Sequence, residues 1–267
     1  VSFIAVSKPR PFVTQITLNR PERMNAMAFD VMVPLHQALQ EVSYDNDTRA
    51  VILTGAGEGF CSGADLEDSG YLPIFDGLTM PGIARRAMGV LEDVIKSIHS
   101  MHQPVICAVN GAAIGGGFCL SMAADIRIAS ERAYFRPAGI NNGLTAAELG
   151  LSYILPRAIG TSRAFEIMLS GRDVDAEEAA RIGIVSRAVA HDELLEECYQ
   201  LAEGIVGFSR LGVEMTKQML WSGIEASSMD SHMQHEANAQ LFVRMTTQNF
   251  EEAIRARKQK RKPEYKD

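Results

Sequence analysis

The chain has 267 residues, 46% hydrophobic and 22% charged, which is enough apolar material for one large core with an appendage. Its formal net charge of −7 argues against nucleic acid and anionic membrane surfaces as partners. Four cysteines (Cys61, Cys107, Cys119, Cys198) are scattered without C-x-x-C spacing, Cys107 and Cys119 read as reduced core thiols, and with no signal or transit segment legible the chain reads as cytoplasmic.

Phe3 to Val6 and Phe12 to Leu18 read as a hairpin, with Phe12, Ile16 and Leu18 on one face. The loop NRPERMNAM follows, carrying Arg20, Arg23 and Asn25. Phe29, Met32, Val33, His36, Leu39 and Val42 then recur at helical spacing, and Pro34 is expected to bend that helix. Val51 to Thr54 reads as a strand. Gly55, Gly57, Gly59 and Gly63 crowd the loop that leaves it, in VILTGAGEGFCSGADL. This is not a dinucleotide fingerprint, and no Gly-Lys-Ser/Thr phosphate loop occurs. From Glu67 to Gly89 prolines, glycines and mixed polarity predict a mobile segment covering a pocket. Val90, Val94, Ile95, Ile98 and Met101 mark an amphipathic helix.

The stretch QPVICAVNGAAIGGGFCLSMAADI, Gln103 to Ile126, organises the chain. Val105 to Val109 reads as a short buried strand, and Asn110-Gly111 as a turn. Gly115, Gly116 and Gly117 precede a short buried helix that ends before Asp125. Glycines between a strand and a helix let backbone N–H groups approach a ligand, and the helix dipole adds partial positive charge there. The run is long enough to cross a bilayer, but Asn110, Ser121 and the glycines count against a membrane span. The bland alternative is that the glycines only let a helix pack tightly on a strand. Two glycine-rich strand exits in one domain favour a bipartite hole for negative charge, with one N–H from each.

Further on, Ile126 to Ala129 and Ala133 to Phe135 are strands. Thr161 is read as the cap of a helix from Ser162 to Leu169, and Asp175 as the cap of Ala176 to Ile182. Ile184 to Val189 is a strand. Glu193 to Val206, Gly212 to Ser222 and Met229 to Lys258 are helical. His232 and His235 stand three apart on a helix, but with no further His or Cys nearby they read as surface residues rather than metal ligands.

At these motifs the chain resembles the enoyl-CoA hydratase/isomerase, or crotonase, superfamily. The matching pieces are Arg20-Pro21 with Asn25-Ala26, GEGFCSGADL, AVNGAAIGGGFCLSMAADI, LPRAIG, LSGRDVDAEEAARIGIVSRAV and KRKPEYKD, in the family's order over nearly the whole chain. The resemblance implies an α/β fold, a spiral of ββα repeats. It also implies a division into an acyl-CoA-binding core, residues 1–190, and a C-terminal helical region, residues 191–267, that holds trimers or dimers of trimers together. It implies no permanently bound cofactor and no metal, with coenzyme A entering as part of the thioester substrate. The thioester oxygen would sit between the amides of Ala64 and Gly116. Coenzyme A would lie against Arg23, Ala26, Ser62, Ala64, Asp65, Leu66, Ile114, Gly116 and Lys260. Arg23 and Lys260 would be near its phosphates and Ala26 near its adenine-ribose end; for Arg23 the plain alternative is a solvated basic turn.

The chain also departs from the family. Cys119 and Ala138 stand where typical hydratases carry two glutamates. An unpaired buried thiol keeps its proton and packs as a hydrophobe. One acid remains in the region, Glu148 in LTAAELG; dienoyl-CoA isomerases carry an aspartate at about this place. The alternative is a glutamate at a helix end, facing solvent or pairing with Arg157. Asn141 and Asn142 could orient a water or the carbonyl, or be turn residues.

Three readings follow. The first is an acyl-CoA-processing enzyme, nominally an enoyl-CoA hydratase of fatty-acid degradation. The second is an isomerase or hydrolase using Glu148 alone, since moving a double bond needs one base whereas adding water needs two proton carriers. The third is a non-catalytic acyl-CoA binding protein.

Overall fold

The computed structural model describes residues 3–267. The chain opens with an antiparallel hairpin, β1 (Ile4–Arg10) and β2 (Val13–Leu18), closed at Phe12 with φ 62°. A 15-residue helix, α1 (Phe29–Ser43), then runs unbroken through Pro34. Three ββα units follow: β3 (Ala50–Gly55), β4 (Gly59–Cys61) and α2 (Met80–Ser100); β5 (Val105–Val109), β6 (Ala112–Ile114) and α3 (Gly116–Ala123); β7 (Ile126–Ser130), β8 (Tyr134–Arg136) and α4 (Leu151–Ile159). The first strand of each unit joins one sheet and the second joins another. The larger sheet has the order β1-β2-β3-β5-β7-β10 and the smaller β4-β6-β8-β9. The remaining elements are α5 (Thr161–Ser170), β9 (Val174–Asp175), α6 (Ala176–Ile182), β10 (Arg187–Val189), α7 (Leu194–Val206), α8 (Arg210–Glu225), α9 (Met229–Thr246) and α10 (Asn249–Gln259).

The central strands are parallel and buried on both faces. In β3, Val51 and Leu53 join one core while Ala50 and Ile52 join the other. In β5, Val105, Cys107 and Val109 alternate with Ile106 and Ala108 in the same way. Double burial explains why these strands read as unbroken apolar runs. Each such Val, Leu or Ile contributes about 1.5–3 kcal/mol by leaving water. Leu194, Cys198 and Ala202 of α7 close the second core. All eight residues of α3 are buried, which accounts for the long charge-free stretch without a membrane. Among the described residues no helix is long and apolar enough to cross one.

Four local expectations need correction. Residues 80–89 are the first half of α2, not an irregular cover. Pro81 sits in its first turn, where a fixed φ favours a helix instead of breaking it. The rest of the segment is anchored, with Phe29 N–H donating to Ser69 O at 2.9 Å and Phe75 buried beside Phe29 at 5.3 Å between ring centroids. Thr161 lies inside α5 and Gly160, at φ 84°, is the cap. The helix read from Met229 to Lys258 is two helices. Thr246 and Thr247 turn their hydroxyls back onto Phe242 O and Val243 O at 2.7 and 2.9 Å, and Thr247 is extended. Such back-bonding competes with the helix. Finally, Gly59 to Cys61, in the stretch expected to be loop, form the short strand β4, which with β6 leads to the two glycine exits. By contrast Asp175 does cap α6, accepting from Glu178 N at 2.8 Å.

Beyond α7, helix α8 lies at the starts of β5 and β7, the end of those strands away from the glycines. Lys217 of α8 reaches Asp125 Oδ2 at 2.8 Å and Gln103 O at 3.0 Å, and Trp221 Nε1 donates to Asp125 Oδ1 at 2.6 Å. Desolvation holds the Lys217 ammonium below its ordinary pKa, with Asp125 opposing it.

Candidate active site

Two asparagines lace the first glycine loop together. Buried Asn25 donates to Ala56 O, Gly59 O and Phe60 O at 3.0–3.1 Å and accepts from Arg20 N at 2.9 Å. Asn110 accepts from Gly55 N at 3.2 Å and donates to Gly57 O at 2.9 Å. The turn between β3 and β4 is thereby fixed from both sides, and β4 pairs in parallel with β6. Each short strand then runs into one of the two glycine exits.

The exits meet. A Cβ on Gly63, at φ 83°, would lie 3.3 Å from the Gly116 nitrogen and 2.6 Å from Ile114 O. A Cβ on Gly117 would fall 2.1 Å from Cys61 O. Only glycine permits these approaches. Met27 holds the first exit in register: its N–H donates to Gly63 O at 2.7 Å, and its carbonyl accepts from Asp65 N at 3.3 Å. Ala64, between those two residues, keeps its N–H free. Gly116 is the first residue of α3, and its N–H has no partner inside the helix. Among the described residues neither amide takes part in a hydrogen bond. Two unused donors on adjoining turns, one of them at a helix N-terminus, can hold a carbonyl oxygen as it gains negative charge.

Arg23, Ala26, Ser62, Ala64 and Asp65 are brought together around the same loop. Ser62 N donates to Met24 O at 3.0 Å, and its hydroxyl to Arg23 O at 3.3 Å. The Asp65 carboxylate is turned inward. It accepts from Asp68 N and Glu67 N at 3.0 and 3.1 Å, from Arg23 at 2.8 Å and from Arg20 at 3.0 Å. The backbone donor of Asp68, and then Arg23, hold it well below the ordinary carboxylate range. Arg23 also pairs with Glu67. Leu66 is exposed, Ala26 buried, and Ile114 ends β6 beside Gly63. Lys260 is exposed in the left-handed cap of α10, where it follows Gln259 at the helix end.

Glu148 lies at the second exit. A Cβ on Gly115 would sit 3.6 Å from Glu148 Oε1 and 3.6 Å from the Ala138 Cβ. The Cys119 thiol lies 3.5 Å from the Glu148 carbonyl and donates to it. The carboxylate therefore shares the space over Gly115 with Ala138, while the Glu148 main chain lies against Cys119. The Glu148 side chain makes no hydrogen bond or ion pair among the described residues, and burial pushes its carboxyl up from the ordinary range. Arg157 is not its partner; that guanidinium stacks on Tyr153 at 3.5 Å. Asn141 faces away, donating to Gly171 O at 3.1 Å. Burial also raises the Cys119 thiol, so it stays protonated.

Two contributors were not singled out from the sequence. Met27 reads only as the residue after Asn25-Ala26. Leu149 carries no signal of its own in the sequence, yet it has φ 45°, a conformation that costs a side-chain-bearing residue about 1–2 kcal/mol. A cavity of about 920 Å³ lies elsewhere. Pro104, Asp125, Trp221 and Phe250 line it at the starts of β5 and β7, the end of the strands away from the glycines. No group of three or more His, Cys, Asp or Glu side chains among the described residues could hold a metal ion.

The family described as enoyl-CoA hydratase/isomerase matches residues 10–267. A "Probable enoyl-CoA hydratase echA12" from Mycobacterium bovis is 63% identical over all of this chain and 94% of its own length. A crystal structure described as a "probable enoyl-CoA hydratase/isomerase" from Mycobacterium abscessus superposes with a TM-score of 0.95 at 62% identity, covering 99% of both chains. A monofunctional enoyl CoA isomerase from M. smegmatis gives 0.75 at 57% identity, over 88% of this chain and 99% of its own.

Proposed function

The chain belongs to the enoyl-CoA hydratase/isomerase family, and we propose that within it this enzyme shifts a double bond along an acyl-CoA thioester, with Glu148 as its single proton carrier. The observation that carries this reading is the position of the Glu148 carboxylate. It stands at Gly115, next to Gly116, while Ala138 and Cys119 offer no second acid. Coenzyme A enters and leaves as part of the substrate. The thioester oxygen lies between the N–H groups of Ala64 and Gly116, which makes the adjacent carbon acidic. Glu148 takes a proton from C2 of a 3-enoyl thioester, the electrons pass into the oxygen, and the same carboxyl returns the proton at C4. The neighbour described as a monofunctional enoyl CoA isomerase supports this reading, whereas the relative named a probable enoyl-CoA hydratase favours water addition.

Arg23, Ala26, Ser62, Asp65, Leu66 and Ile114 form the coenzyme-facing rim in this reading, Asp65 through its backbone. We assign residues 1–190 to the acyl-CoA-binding core and 191–267 to assembly into trimers or pairs of trimers. Leu220, Ile224, Phe242 and Phe250, exposed along α8 to α10, support that assignment. In this reading Lys260, exposed at the end of α10, approaches a phosphate of the coenzyme. Four unpaired cysteines suit a reducing cytoplasm.

The test is to compare turnover of a 3-enoyl-CoA with hydration of crotonyl-CoA, in the parent and in Glu148→Gln. The proton shift should exceed hydration and fall about a hundredfold or more in the variant. Brisk hydration that survives Glu148→Gln would favour a hydratase with its base elsewhere. Tight acyl-CoA binding without turnover of either substrate would mean a binding protein.

A further inference from the structure

Residues Glu148 to Leu151 form a tight turn, with Leu151 N–H donating to Glu148 O at 2.8 Å. Both central residues are left-handed: Leu149 has φ 45° and Gly150 has φ 82°. A turn of this hand calls for glycine, asparagine or aspartate at both central places. Leucine at the first is the wrong residue for the backbone, so its side chain must supply the reason.

That side chain is buried, 8% exposed. Its Cδ1 lies 3.7 Å from the point where a Cβ on Gly116 would stand, and it belongs to the same core as Met27 and Phe118. Leucine 149 is thus wedged between the turn that carries the carboxylate and the glycine that carries a free amide. The far side of the turn is braced as well, because the Cys119 thiol donates to the Glu148 carbonyl. Strained backbone persists only where the surroundings over-determine it, and such places gather at functional sites.

We propose that Leu149 is a positioning residue for the proton shift. Its buried side chain holds the Glu148 turn against Gly116, and so fixes the distance between the carboxylate and the carbons next to the held thioester oxygen. It also keeps water from the carboxylate on the protein side. The inference rests on the reading of Glu148 as the base.

Leu149→Gly tests it, because glycine satisfies the turn and removes only the wedge. The maximal rate of 3-enoyl-CoA isomerisation should fall about 10–100-fold, the cost of a slightly misplaced group, with KM within about twofold. The acid limb of the rate profile should move to lower pH as water reaches Glu148, a change that simple loosening elsewhere would not produce. Leu149→Met, which refills the wedge, should restore both the rate and the limb. Where Leu149→Gly fails to fold, Leu149→Ala against Leu149→Met reads the same difference. Parent-like rate and acid limb in the glycine variant, or in the alanine variant where that one is used, would overturn the inference. Glu148→Gln, measured alongside, separates the two failures. If it keeps the activity, the base is another group. If it loses the activity while Leu149→Gly keeps it, only the positioning role is wrong.

Discussion

The sulfur of Met27 lies against Gly116, so close that a methyl group on the glycine would come within 2.4 Å of it. The main chain of Met27 brackets Ala64 at the same time. One residue therefore touches both strand exits, and neither can move without it.

Gly116→Ala should displace the amide that α3 presents and lower kcat about a hundredfold, at the lower end of what losing one such donor costs. Met27→Ala in the same chain gives the new methyl group room and should recover part of the loss. A double-mutant cycle on kcat/KM measures the coupling. Additive effects would show that Met27 does not tie the two amides together. Gly116→Pro would mix a deleted N–H with the same clash, so it is informative only beside Gly116→Ala.

Burial pushes the Glu148 carboxyl up from its ordinary range, and a base must be ionised. The isomerisation rate should therefore climb with pH through a window that begins above about 4.3, the ordinary glutamate value. A rate already level at pH 4 would contradict the burial of the group.

The same shift has a consequence for stability. A carboxyl raised in the folded state binds its proton more tightly there than in the unfolded chain. Its contribution is present below the unfolded value and is lost as pH rises through the folded one. Glu148→Gln has no charge to desolvate, so at pH 7 it should melt above the parent, and the gap should close below about pH 4. An equal or lower Tm at pH 7 would argue that the carboxylate is solvated.

Asn25 offers a test of the scaffold. Its amide nitrogen serves three carbonyls with no other side-chain donor than Asn110 nearby. Asn25→Ala should cost about 1–3 kcal/mol for each carbonyl left dry. Asn25→Asp, which aims a carboxylate at those oxygens, should be worse. Urea melts order the two, and an aspartate variant as stable as the parent would sink the account.

Lys217 and Asp125 form a nearly buried pair, 7% and 14% exposed at the side chain. Lys217→Met leaves the carboxylate with only Trp221 and Val105 N–H and should cost about 3–5 kcal/mol. Changing Asp125→Asn in the same chain should return part of it. A loss below 1 kcal/mol would show that α8 is held by its apolar contacts alone.

What the sequence disclosed depended on whether the physics was local. Val105 to Val109 and the glycines after it are local signals, and so is Asp175 accepting from a residue three places on. The three-residue strands β4 and β6 are too short to show a period, and only their mutual pairing makes them strands. Pro81 carries the same letter whether it opens a helix or breaks one. Asp65 read as a rim residue, but its carboxylate is spent on Arg20 and Arg23, 45 and 42 residues away. The place of Glu148 beside Gly115 joins segments 33 residues apart, and the left-handed Leu149 violates local preference, so no window of sequence announces either.

The four thiols are all buried and unpaired, and burial pushes those of Cys61 and Cys198 up to about 12. An intact molecule should therefore be mute to an alkylating reagent, and each label that appears dates the opening of one layer. Cys61, Cys107 and Cys119 belong to one core and Cys198, on the inner face of α7, to the other. If residues 191–267 come away as a unit, Cys198 will be modified alone and early. If the chain melts as one body, all four will answer together, and mass spectrometry on a heating series can tell these histories apart.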